Sequence, residues 1–351
     1  MMRNDLHLTP RLTVNLAVLS AASACLLATA PALAANITIG SPVSGTHLGS
    51  PVLVRAHNIG CNGFTPTSFG YSIDDSSALS LGETAYDIDV TNDPITAGTH
   101  TIHFKSWTSH GECPAASTTF TVVGNPSMGI PPNAISSGDL DARNTWTEIH
   151  DGGTPGKSTG TTSYPAKTPV YDDAREFHMT YVARAGERWN TDAAIDAEAT
   201  HFAIDAYVML ANPSQVLNLE MDVNHVMANG ETVILSTQCS GVTKTWEYGF
   251  TVGRLDHWWS TPQLKCDPTT WTANVWHHIQ IGMHHDANGV VTHDWVILDG
   301  VYTAFINATR GSAKFLDWQH GVVNTQFQIE GTNAGTGSVT AYTHKLTVYR
   351  W

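Results

Sequence analysis

The sequence predicts an all-β protein, a smaller β-sandwich followed by a larger two-sheet jelly roll. Three observations predict it. Short runs that alternate apolar and polar residues recur along the 351-residue chain, the period expected of half-buried strands. The 29 Gly and 16 Pro punctuate those runs as turn formers. Long amphipathic helical patterns are lacking, and TDAAIDAEAT at 191–200 is the one stretch of helical character.

The chain opens with Arg3 and Arg11, then the apolar run LAVLSAASACLLATA and the small-residue ending PALA before Ala35. This is the layout of a secretory signal peptide over 1–34, which predicts a secreted, periplasmic or cell-surface product. No later stretch is long and apolar enough for a transmembrane segment. A formal net charge of -14 repels phosphate backbones and argues against nucleic acid as a partner. Cys25 lies in the leader and is alternatively a lipid-attachment site after Ala22-Ser23-Ala24. Cys61 with Cys113, and Cys239 with Cys266, read as two local disulfides of an oxidising compartment.

Residues 36–123 carry the runs NITI, PVLVRAH, FGYSI, YDIDV, THTIHFKSW and TTFTVV at sandwich-like spacing. The following GNPSMGIPPNAISSGD, 124–139, has no hydrophobic period and reads as a linker. With SPVSG after the first strand and the late hairpin AGTHTIHFKSWTSHGE, the first segment resembles the bacterial Ig-like domains of secreted proteins. The resemblance implies a spacer or adhesion module, with the Cys61–Cys113 bridge pinning loops at one end of the sandwich.

Residues 140–351 hold candidate strands FAIDAYVML, VLNLEMDVNHV, TVILSTQC, WEYGFTV, WHHIQIGMHH, THDWVILDG, NTQFQIEG and HKLTVYRW. Eight or more strands without βαβ alternation imply a two-sheet jelly roll. Asp299-Gly300 marks a hairpin. WHHIQI, a polar turn and VTHDWVILDGV are similar to the late strands of the concanavalin A-like and laminin G-like jelly rolls. That superfamily holds lectins, carbohydrate-binding modules, glycoside hydrolases and polysaccharide lyases, so the resemblance implies a polysaccharide partner.

Within LNLEMDVNHV, alternation sends Leu217, Leu219, Met221 and Val223 to one face and Asn218, Glu220, Asp222 and Asn224 to the other. Acids and amides are poor strand formers, so four in a row mark a functional surface rather than an idle one. Alternation slips after Asn224, which suggests a β-bulge near His225. Laminarinase-like hydrolases of the superfamily carry Glu-x-Asp-x-Glu or Glu-x-Asp-x-x-Glu on one strand. That likeness implies Glu220 as nucleophile, Asp222 as its helper, and His225, or an acid such as Glu247 or Asp256, as proton donor. The second acid of the motif is replaced by Asn224 or His225 here, which favours binding over retaining hydrolysis. Legume lectins set a Glu-x-Asp strand beside metal, so calcium on Glu220, Asp222 and Asn224 is possible; no cofactor is otherwise implied.

Aromatic side chains supply stacking faces for sugars. Trp246, Tyr248, Trp258 and Trp259 are the candidates, with the last two in a segment held by the Cys239–Cys266 bridge. His278 and Gln280 share a strand face and, with Tyr248, supply the base and amide that a lyase needs. Secreted polysaccharide binding is the first reading, glycoside hydrolysis or lyase chemistry the second, and adhesion without catalysis the third.

Overall fold

The computed structural model describes residues 36–351 except 49, 51, 78, 83, 92–94, 123–128, 167–172, 253–254, 307, 312, 315, 317 and 333–334. Two large antiparallel sheets meet over one core. The first follows the order Lys157–Ala166, Ala174–Val182, Thr336–Arg350, His201–Leu210, Trp276–His285, Val290–Leu298 and Val301–Ala304. Ile135–Ser137 and Thr309–Gly311 pair beside it to make nine strands. The second runs Thr147–His150, Gly186–Ile195, Val322–Gly331, Val216–Val226, Thr232–Ser240, Thr245–Val252 and Leu255–Lys265, with Ala313–Lys314 as its eighth strand. Strand alternation turns Phe202, Ile204, Val208, Ile279 and Ile281 of the first sheet toward Leu219, Met221, Val223, Phe327 and Ile329 of the second.

Residues 37–122 form a smaller sandwich of the same kind. Ile37–Ser41, Leu53–Asn58 and Asp87–Thr91 make one sheet. Six strands, led by Pro66–Ile73, Gly98–Thr108 and Ala116–Val122, make the other. Val54 and Ile88 from one face Phe69, Phe104 and Phe120 from the other.

The Asp299-Gly300 hairpin is present, with Leu298 opposite Val301. Both turn residues have positive φ, 49° and 78°, as a two-residue type I′ turn demands. Both expected disulfides are formed, Cys61–Cys113 and Cys239–Cys266. Two expectations are corrected. TDAAIDAEAT begins inside the strand Gly186–Ile195, because Trp189, Thr191 and Ala193 alternate into the core; among the described residues helix is limited to three short 3-10 turns. Part of the expected linker is sheet, since Ile135–Ser137 pairs with Val348–Arg350. The expected signal peptide and the stretch 124–128 lie outside the described residues. No described helix is long and apolar enough to cross a membrane.

The smaller sandwich seats on the outward face of the nine-stranded sheet. Leu53 packs with Tyr207, Met209, Trp276 and Tyr342, and the Arg55 guanidinium lies 5.1 Å over the Trp276 ring. Arg55 also pairs with Asp89 and Asp173, while His344 sits 3.1 Å from Asp89. The outward face of the eight-stranded sheet is the one on which the polar row stands.

Candidate functional site

The face is built from strand register. Val216–Val226 pairs with Thr232–Ser240 without interruption from Asn218 to Val226, and with Val322–Gly331 on its other side. Glu220 therefore stands between Gln238 and Gln328, Asp222 between Ser236 and Gln326, and Asn224 between Ile234 and Asn324. The rows continue through Arg188 and Asn190 on one side and through Glu247, Gly249 and Trp258 on the other. One row reads Arg188, Gln328, Glu220, Gln238, Glu247; the next reads Asn190, Gln326, Asp222, Ser236, Gly249, Trp258.

Side chains within this face bind one another. Gln238 Nε2 donates to Glu247 at 2.5 Å and Gln326 Nε2 to Asp222 Oδ2 at 2.9 Å. Asn324 Nδ2 donates to Asp192 at 2.9 Å. Glu330 accepts from Asn218 and from both Nε and Nη2 of Arg184. Close packing of these groups leaves Glu220 6% and Asp222 2% exposed. Burial, reinforced by the charge of Asp222 and a hydrogen bond to it, raises the Glu220 carboxyl well above its ordinary range; Arg188 opposes the rise.

Trp258 is 37% exposed and shares the polar face, opposite Gly249. A Cβ at Gly249 would come within 1.9 Å of Ser236 Oγ and 3.6 Å of the Trp258 ring, so glycine is what lets the hydroxyl and indole sit side by side. Trp259, the adjacent residue, is opposite Tyr248 and belongs to the other face parity, although it too is exposed.

Several predicted site residues lie elsewhere. The expected bulge is absent, so His225 keeps the inward parity and is fully buried. Its Nδ1 is 2.9 Å from His285 Nε2, and its Nε2 donates to the Asp196 carbonyl at 2.8 Å. Burial lowers its pKa to about 4. It faces away from Glu220, and proton transfer to a sugar on the polar face is not open to it. Trp246 and Tyr248 alternate inward with the core and offer no stacking face. His278 and Gln280 are on the outward side of the other sheet, both bonded to Asp205 at 2.7 Å, so the sandwich thickness separates them from Glu220. The Asp256 side chain lies outside the described residues.

No third carboxylate or imidazole joins Glu220 and Asp222 in a described metal-type group. Among the described residues, the Asp/His group with ligand atoms within 4.8 Å of one another is Asp89, Asp173 and His344 at the seam, where Arg55 already supplies the positive charge. The residues that sequence reasoning missed are Arg188, Asn190, Gln238, Asn324, Gln326 and Gln328. A signal existed in NTQFQIEG, whose amides and acid alternate with Phe327 and Ile329 as strictly as LNLEMDVN does.

These features define an all-β sandwich protein with a broad polar sheet face edged by an indole. No protein-family model matches the chain. No sequence relative is found among curated proteins. Solved structures similar to it are β-sandwich carbohydrate-binding and lectin-like domains. Carbohydrate-binding modules of the β-sandwich superfamily match at 10% identity over 88% of this chain and 95% of that one, with a TM-score of 0.31. Arcelin-5, a lectin-like defence protein from Phaseolus vulgaris, matches at 8% identity over 59% and 99%, TM-score 0.33. The cellulose induced protein Cip1 matches at 9% identity over 61% and 96%, TM-score 0.35.

Proposed function

We propose that the chain is an exported polysaccharide-binding protein whose binding surface is the outward face of the eight-stranded sheet. One observation carries this reading: a continuous carpet of amides, acids and Arg188 crosses six strands and ends at the half-exposed indole of Trp258. An extended polar floor suits the many hydroxyls of a glycan, and an indole face suits the C–H face of a pyranose ring. Asn218, Glu220, Asp222, Asn224 and Trp258 are the proposed contacts, with Gln238, Gln326 and Gln328 added by the register. The smaller sandwich acts as a fixed support, since it covers the opposite side of the protein through Leu53, Arg55 and Trp276.

Glycoside hydrolysis is the second reading, and the burial-raised pKa of Glu220 favours it, because a general acid works best with a pKa raised toward the working pH. Against a retaining mechanism, the cross-strand neighbours of Glu220 are the amides of Gln238 and Gln328. Glu247 is two strands away, roughly 9–10 Å by strand spacing, beyond the roughly 5–5.5 Å of a retaining pair. The test is incubation with insoluble and soluble polysaccharides, comparing wild type with Trp258→Ala and Glu220→Gln. Retained glycan without product release supports binding; release of oligosaccharide by wild type and not by Glu220→Gln makes the protein a hydrolase; failure to bind any glycan removes both.

A further inference from the structure

We propose that the glycan bound by this face carries free amino groups, and that ammonium hydrogens are received by Glu220, Asp222 and the amide oxygens that flank them. This rests on the polysaccharide-binding reading above and narrows it to a chemical class.

The first ground is charge. Asp222, Glu247, Glu330 and Asp192 lie on the face beside Glu220, whose charge burial disfavours, four carboxylates against the cations Arg188, Arg184 and Lys265. Arg184 is already engaged with Glu330 through two nitrogens. A uronate or sulfated polymer would bring further negative charge to a face whose carboxylates already outnumber its cations, and is disfavoured.

The second ground is the count of hydrogen-bonding groups. Asn218, Gln238, Gln326 and Asn324 each direct their amide hydrogens at an oxygen of the face itself, namely Glu330, Glu247, Asp222 and Asp192. The acceptors are not matched in the same way. Asn218 Oδ1 and Asn324 Oδ1, on two buried residues at either end of the Glu220–Asp222 stretch, have no hydrogen-bond partner. Unmatched buried acceptors call for a ligand that donates. A sugar hydroxyl brings one donor along with two acceptor lone pairs, a carboxylate brings acceptors only, and an ammonium brings three donors and a positive charge. The face therefore ranks amino sugar above neutral sugar and neutral sugar above uronate.

The test uses the whole exported chain and defined soluble tetramers of β-linked glucosamine, N-acetylglucosamine, glucose and a uronic acid, with affinity read by calorimetry. Because any acidic protein attracts polycations, the comparison includes Asp222→Asn and Glu247→Gln on the face and Glu112→Gln on the exposed surface of the smaller sandwich. The expected result is a glucosamine tetramer bound at least tenfold tighter than the acetylated or neutral ones. That advantage falls about tenfold in Asp222→Asn and is unchanged in Glu112→Gln. Should Asp222→Asn fail to fold, Glu247→Gln carries the same comparison with a smaller loss. Equal or tighter binding of a neutral tetramer overturns the amino-sugar assignment and leaves polysaccharide binding standing. Binding of the uronate overturns the charge argument. An advantage lost equally in Glu112→Gln shows bulk attraction and also overturns the proposal, and binding of none of the four removes the broader reading as well.

Discussion

His293 ties the two large sheets together behind the polar face, and it makes the protein acid-sensitive. Its side chain is 1% exposed, its Nε2 donates to the Ser236 carbonyl at 2.9 Å, and its Nδ1 is buried without a hydrogen-bond partner. A second proton would sit on Nδ1 among Tyr248 and Phe305, so burial holds the pKa down to about 4. In the unfolded chain it returns to about 6.5. A histidine lowered on folding contributes its full stability above about pH 6.5 and loses it as pH falls toward 4, because the unfolded state binds the proton first. The ceiling is about 3 kcal/mol, and at pH 5 the loss is about 2 kcal/mol. His293→Gln keeps a donor for the Ser236 carbonyl and removes the titration. Guanidinium unfolding at pH 7.5 and pH 5.0 should show wild type losing about 2 kcal/mol more than the variant between those pH values. His225 and His285 titrate in both proteins and cancel in this comparison. Equal losses would refute the buried, neutral His293.

Other outcomes follow from the same contacts. Cys239 and Cys266 are 27 residues apart, and replacing both with Ala should lower stability by about 3–4 kcal/mol on loop-entropy grounds, read as a drop in Tm. Gly249→Ala drives a methyl into Ser236 Oγ and should cost about 1–3 kcal/mol as overpacking, read as a lower denaturation midpoint. Arg55→Met leaves Asp89 and Asp173 without their guanidinium at a mostly buried seam and should destabilise by about 3 kcal/mol. Proteolysis between the sandwiches should then speed up, and an unchanged cleavage rate would mean the seam does not hold the smaller sandwich in place.

Much of this was legible in the sequence, and the misses have physical causes. Alternation along one strand is local information, so the outward row Asn218, Glu220, Asp222, Asn224 and the inward row Leu219, Met221, Val223 could be read directly. The Asp299-Gly300 hairpin was legible for the same reason, and both disulfides from the four cysteines that follow the leader. Which residues flank Glu220 depends on pairing with Val322–Gly331, about a hundred residues away, and no local pattern encodes that register. Trp246 and Tyr248 have stacking rings but the wrong parity for the polar face, since WEYGF alternates Trp, Tyr and Phe against Glu247 and Gly249. His225 is a polar residue at an inward position of an unbulged strand. The inward position is instead satisfied by His285 and the Asp196 carbonyl. At 191–200, Ala and Asp are poor strand formers, and burial of Trp189, Thr191 and Ala193 overrode that preference.

The central claim is that a glycan lies on the outward face of the eight-stranded sheet with Trp258 beneath a sugar ring. The most direct measurement is glycan titration of the whole chain followed by intrinsic tryptophan fluorescence, for wild type and Trp258→Ala at matched Tm. The account predicts a saturable spectral change in wild type that disappears in Trp258→Ala with at least a tenfold loss of affinity. Unchanged affinity and an unchanged spectral response in Trp258→Ala would place the glycan elsewhere and contradict it.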